Sequence, residues 1–138
     1  DRTQVRKEWR MDGIAVPVLG FSDAEYDSHG LIIDLKTTHV LPSAIKTSHA
    51  RQVASYLGAG ANMVGAVAYV TPKKAALYQL ENPAAHVAAL TRMAASLQNF
   101  LAISTDPNEL ASLITVDTDS FYLAYPRARQ CAFDVFGV

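Results

Sequence analysis

Near the start of the chain Val5, Trp9 and Met11, with Lys7 in the same phase, interleave with Arg6, Glu8 and Arg10. A period of two predicts a half-buried strand, and Asp12-Gly13 is a turn signal that ends it. Residues 14–26 read as a second extended segment, in which Pro17 cannot donate a ladder hydrogen bond and marks an edge position or a bulge. Asp27-Ser28-His29-Gly30 turns the chain into a third strand, Leu31-Ile32-Ile33-Asp34-Leu35-Lys36-Thr37, so that three strands form a meander. After Pro42 the pattern becomes helical, with Ser43 as N-cap, residues 44–57 as the helix, and Gly58 and Gly60 ending it. The almost continuously apolar run 64–71 predicts a strand buried on both faces. Pro72-Lys73-Lys74 turns the chain into a fifth strand over 75–80. Pro83 opens an Ala/Leu/Met-rich helix to about residue 103, and Asp106-Pro107 opens a shorter one through Ile114. The aromatic-rich tail from Phe121 shows no clear period. The order βββ-α-ββ-α-α predicts one α/β domain over 1–138, built on a central mixed β-sheet flanked by helices.

Composition narrows what such a domain does. Of 138 residues, 50% are hydrophobic and 18% charged, with a formal net charge of -1; this describes a compact globule and excludes a heavily basic, tight binder of duplex nucleic acid. Cys131 is the sole cysteine, which rules out an internal disulfide, a thiolate zinc site or an iron–sulfur cluster held by this chain alone. A reducing, cytoplasmic compartment is the expectation. Residues 63–70 form one of the longest apolar stretches and fall far short of a membrane span, and no apolar signal-like region follows residues 1–7. The first residue is Asp1 rather than Met, from which a chain trimmed upstream is expected.

Chemistry concentrates on the third strand. Asp34 and Lys36 are two residues apart, so their side chains leave one face while Ile33 and Leu35 enter the other. If the preceding loop is Ser28-His29 or residues 27–30, paired residues sum to 57 and Asp23 lies opposite Asp34 on the same face. Two carboxylates at ~5 Å with an effective dielectric of ~20 repel by about 3 kcal/mol. A hard divalent cation, Mg²⁺ or Mn²⁺, relieves that repulsion, since carboxylate and water oxygens suit such ions and no sulfur or histidine cluster competes. An ammonium at Lys36 beside a metal-activated water can orient it, help to lower its pKa, or stabilise charge on a phosphate in the transition state. On the following helix, His49, Gln52 and Tyr56 fall within about 60° of one another at 100° per residue. They form a polar-tipped stripe beside the apolar one made by Ala50, Val53, Ala54 and Leu57.

Gly20-Phe21-Ser22-Asp23, then Ile32-Ile33-Asp34-Leu35-Lys36-Thr37, then Gln52-Val53-Ala54-Ser55-Tyr56 together resemble the PD-(D/E)XK nuclease superfamily, particularly its RecB-like branch. That branch carries an Asp after a glycine-containing strand, a D-x-K-T strand and a Q-x-x-x-Y helix, and the resemblance spans about residues 20–71. It implies a restriction-endonuclease-like core and a metal-dependent deoxyribonuclease, of exonuclease type, acting in recombination, repair or the replication of a mobile element. Asp23 and Asp34 would bind Mg²⁺ or Mn²⁺ with the backbone carbonyl of Leu35, and Lys36 would be the catalytic lysine. Gln52 and Tyr56 would complete the site and, with His49, face the DNA. The additional acid that many relatives carry on an upstream helix has no counterpart here; Glu8 is a candidate substitute, although a solvated strand residue describes it better. A single cysteine implies that the cluster of some relatives is missing.

DNA is the expected partner, with a second copy of the chain or a recombination protein as further candidates. A catalytically silent DNA-binding or scaffolding module and a metal-dependent small-molecule phosphohydrolase are the competing readings. His29, His39 and His86 lack zinc-ligand spacing, Lys73-Lys74 reads as a solvated turn or a phosphate contact, and Cys131 as a packed thiol.

Overall fold

A computed structural model describes residues 1–60 and 62–137. Five strands form one mixed sheet in sequential order: β1 (Arg2–Trp9), β2 (Val18–Tyr26), β3 (Leu31–Thr37), β4 (Val64–Val70) and β5 (Ala75–Gln79). All neighbours are antiparallel except β3 and β4, which run parallel and are joined through helix α1 (Thr47–Gly58). Helices α2 (Pro83–Leu101), α3 (Pro107–Ser112) and α4 (Pro126–Phe136) follow, so the expected α/β class with a mixed sheet is the one observed. Among the described residues, no helix is long and apolar enough to cross a membrane.

Backbone contacts divide the chain into two compact units, Asp1–Ala95 and Ser96–Val138. The first holds the whole sheet. Its core joins Ala50, Val53 and Ala54 of α1 to Val67 and Tyr69 of β4 and to Leu80, with Leu41, Ile45, Tyr78, Val87 and Leu90 packed around them. α1 touches β4 so closely at Gly65 that an added Cβ would collide with a methyl of Val53. Trp9 of β1 packs beneath Gly58 at the other end of the helix. In the second unit, Asp106 caps α3 by accepting the Asn108 N–H at 2.9 Å. α4 begins on Pro126 and ends on Gly137 in the left-handed conformation. Ala132 is buried there and Cys131 is exposed. The expected packed thiol is therefore corrected: neighbouring helical positions differ by 100°, and Ala132 takes the inward one.

Several element boundaries differ from the sequence reading: β1 runs Arg2–Trp9 rather than through Met11, and α3 ends at Ser112 rather than Ile114. The second strand starts at Val18 and not at Ile14, because the Met11 carbonyl accepts the Ile14 N–H at 3.1 Å and closes a turn there. α1 starts at Thr47, four residues past Ser43, with Lys46 as an N-cap that makes no side-chain capping bond. The intervening segment is held out of the helix by tertiary bonds. The Tyr78 hydroxyl donates to the Pro42 carbonyl at 2.8 Å, and the Lys46 N–H donates to the Tyr69 hydroxyl at 3.2 Å.

Candidate active site

Strand register carries the two acids to the same end of the β2–β3 ladder. In β2 and β3 the observed pairs Ala24↔Ile33, Glu25↔Ile32 and Tyr26↔Leu31 all sum to 57, the register that, continued by one pair, would set Asp23 against Asp34. Pairing between the two strands ends at Ala24↔Ile33. From there Asp23 replaces backbone with side chain, its Oδ2 accepting the Leu35 N–H at 2.7 Å.

The cause is a change of phase in β2. Ser22 and Glu25 are three residues apart yet both fully buried, and the Ser22 hydroxyl donates to Glu25 Oε1 at 2.6 Å. Strict alternation puts such residues on opposite faces, so the pleat shifts by one residue between them. β1 shifts at the same level. Arg2 and Lys7, five apart, both reach Glu25, at 2.9 and 2.6 Å, and between them Gln4 has a φ of 51°. Burial alone would raise the Glu25 carboxyl, but the Lys7 and Ser22 hydrogen bonds and the charges of Lys7 and Arg2 outweigh it and hold the group below its ordinary range.

On β3, Asp34 is 1% exposed whereas Leu35 is 51% exposed. The charged side of the strand is thus the one α1 covers, and the apolar Leu35 faces outward. Lys36 Nζ lies 2.9 Å from Asp34 Oδ2 as an ion pair, but that buried oxygen has no hydrogen-bond partner. Lys36 donates instead to Gln52 Oε1 at 2.8 Å. The Gln52 amide nitrogen donates to the Tyr56 hydroxyl at 2.8 Å, and Tyr56 makes a long 3.5 Å bond to Asp34 Oδ1. Four side chains from β3 and α1 therefore close a ring. Burial, together with the charges of Asp34 and Asp23, pushes the Tyr56 hydroxyl up to about 12 against the opposing effect of the Gln52 bond, so Tyr56 enters the ring as a donor. Its ring edge lies against Gly20 of β2, where an added Cβ would stand 3.1 Å from Cε1.

Of the other candidates, His49 sits beside this ring rather than in it. Its Nδ1 meets the Tyr69 hydroxyl at 2.7 Å, on the residue that pairs with Lys36 across β3 and β4. Burial first, then the charge of Lys36, lowers its pKa, so it is neutral near pH 7. Glu8 is paired with Arg6 and Arg10, at 2.9 and 2.5 Å, on a β1 residue opposite Leu19, and makes no described contact with the two acids. Lys73 and Lys74 are exposed in a turn where the Thr71 hydroxyl accepts both their N–H groups. With His39 they line a cavity of about 330 Å³. Two residues missing from the sequence reading are Glu25, whose burial only the facing Arg2 and Lys7 could have signalled, and Gln4, whose side-chain amide donates to Asp23 Oδ1 at 3.1 Å.

Among the described residues, no three His, Cys, Asp or Glu side chains come together as a metal-holding group. The two carboxylates nevertheless suit a hard cation. All their donors are oxygens, and Asp34 Oδ2 is engaged only by the Lys36 ion pair.

No family model matches the chain, and no curated protein matches it. Among solved structures, the chain is similar to one described as the crystal structure of SSO0001, with 25% sequence identity and a TM-score of 0.54 over 71% of this chain. The match takes in 50% of that protein, so this chain spans about half its length, and SSO0001 carries no activity in its description.

Proposed function

We propose that this chain is a Mg²⁺- or Mn²⁺-dependent deoxyribonuclease of PD-(D/E)XK type, hydrolysing phosphodiester bonds in DNA. The observation that carries the reading is the ring of Asp34, Lys36, Gln52 and Tyr56, beside which Asp23 is fixed on the backbone of β3. A buried carboxylate on a core strand is costly unless compensated, and Asp34 Oδ2 is held by the Lys36 ion pair alone. In this reading Asp23, Asp34 and the Leu35 carbonyl hold the ion. When bound, the ion supplies positive charge to the phosphate and acidifies water.

The remaining groups act around that point. Lys36 brings an ammonium that can orient the attacking water and offset charge growing on the phosphate. Gln52 holds Lys36 through its carbonyl oxygen, limiting the rotamers of a side chain that otherwise loses much entropy on being placed. Tyr56 keeps Gln52 turned the right way. Gln52, Tyr56 and His49 lie on the helix that would face the DNA strand.

Labelled linear and circular DNA, incubated with Mg²⁺, Mn²⁺ or EDTA, tests the proposal. Cleavage is expected with either ion and not with EDTA, and an exonuclease spares the circle. Cleavage that is absent, or that survives in both Asp34→Asn and Lys36→Ala, overturns the mechanism. DNA bound but never cut points to the silent binding module instead.

A further inference from the structure

Among non-glycine residues in strands, Gln4 alone of those described combines a left-handed backbone with a bond to a site carboxylate. Its φ is 51°, a region where residues other than glycine, asparagine and aspartate carry strain. The strain is local. Regular pairing resumes on either side, Thr3↔Ala24 and Val5↔Ser22, so Gln4 is the residue facing Asp23. Its amide nitrogen donates to Asp23 Oδ1 at 3.1 Å while the Leu35 N–H takes Oδ2 at 2.7 Å. Each oxygen of Asp23 thus has one donor, from a different neighbouring strand. A carboxylate held at both oxygens has its plane fixed, whereas one held only at Oδ2 can swing about that bond.

We propose that Gln4 is a positioning residue for Asp23, and that the strained backbone at this position is retained because it aims the Gln4 amide at the acid. The inference rests on reading Asp23 as an ion ligand. Groups that orient a ligand from behind typically contribute 10–100-fold to metal affinity. The competing role is purely structural: the turn of backbone at Gln4 lets Arg2 and Lys7 both reach Glu25.

Substitution by glycine separates the two roles, because Gln4→Gly admits the left-handed backbone without strain and removes the side chain with its amide. Mn²⁺ binding by the full chain, measured calorimetrically, and the melting temperature are read together with DNA cleavage. Gln4→Gly is expected to melt at or above the wild-type temperature and to bind Mn²⁺ about 10-fold more weakly, with cleavage needing correspondingly more Mn²⁺. Gln4→Asn tolerates the same φ but has a shorter amide, and is expected to shift Mn²⁺ affinity in the same direction. Unchanged Mn²⁺ affinity in both variants, with an active wild type, overturns the inference and leaves the nuclease reading standing. A wild type that binds no Mn²⁺ overturns both.

Discussion

The Asp23 carboxylate stands in for a stretch of strand: its Oδ2 accepts the Leu35 N–H at 2.7 Å, beyond the last backbone pair of β2 with β3 at Ala24↔Ile33. A site acid therefore also completes the sheet, and the two duties can be separated by substitution. Asp23→Asn retains an acceptor for Leu35, so its melting temperature is expected to stay close to wild type while metal-dependent cleavage falls by about 100-fold or more. Asp23→Ala is expected to lose cleavage and about 0.5–1.5 kcal/mol of stability as well. Denaturant unfolding beside a cleavage assay reads both.

Lys36 is the only described cationic partner of Asp34, whose carboxylate is nearly fully buried. Lys36→Met leaves Asp34 charged and uncompensated, with an expected cost of about 2–3 kcal/mol, reduced from the fully buried case because Lys36 is partly exposed. Adding Asp34→Asn should recover most of that loss. Mn²⁺ is expected to raise the melting temperature of Lys36→Met more than that of the wild type, since the ion takes over the missing charge; an equal shift in both would count against Asp34 as a ligand.

With its hydroxyl pushed up to about 12, Tyr56 is neutral throughout the working range and contributes a proton donor rather than a base. Tyr56→Phe is expected to cost about 0.5–1.5 kcal/mol and to lower turnover, while any alkaline limb of the pH–rate profile below pH 10 stays where it was. Loss of such a limb in the variant would assign the titration to Tyr56 and contradict this reading.

Glu25 makes stability depend on acid. Its carboxyl is held below the ordinary value of 4.5, so its contribution is fully present above that value and is lost as pH falls through the lower, folded-state value. Thermal melts between pH 6 and pH 2 are expected to show this decline. Lys7→Met removes both a hydrogen bond and a charge from Glu25 and should move the decline to higher pH.

Gly65→Ala puts a methyl group where α1 meets β4. Overpacking of this kind costs about 1–3 kcal/mol, and Val53→Ala in the same chain should return part of it by making room. A double-mutant cycle on unfolding free energies measures the compensation.

Much of this architecture is legible in the residues. β3 is read to the residue because an apolar run follows Gly30, and the register of β2 and β3 follows from the length of the turn between them. The start of α1 is misread because Pro42-Ser43 resembles a helix entry in isolation, whereas the hydroxyls of Tyr69 and Tyr78, distant in sequence, hold the segment extended. For α4, Pro126 at the start and Gly137 past the end were usable signals that an aromatic-rich composition obscured. Within the candidate site, spacing on one strand and one helix shows Asp34 with Lys36 and Gln52 with Tyr56, since those pairings are local. Spacing cannot show the bond that links the two pairs, Lys36 to Gln52, or the strand distortion that delivers Gln4. Glutamine has no tendency toward left-handed backbone, so nothing in the sequence marks that position.

The direction of the ring has a consequence for how this sequence can drift. Because the Lys36 ammonium can only donate, Gln52 must present its oxygen to Lys36 and its nitrogen to Tyr56. If position 36 became an acceptor, the same glutamine would have to turn over and meet Tyr56 with its oxygen, and the tyrosine proton would leave Asp34 to answer it. Positions 36, 52 and 56 are therefore coupled through the polarity of their hydrogen bonds, and a change at one of them alters what the others must donate or accept.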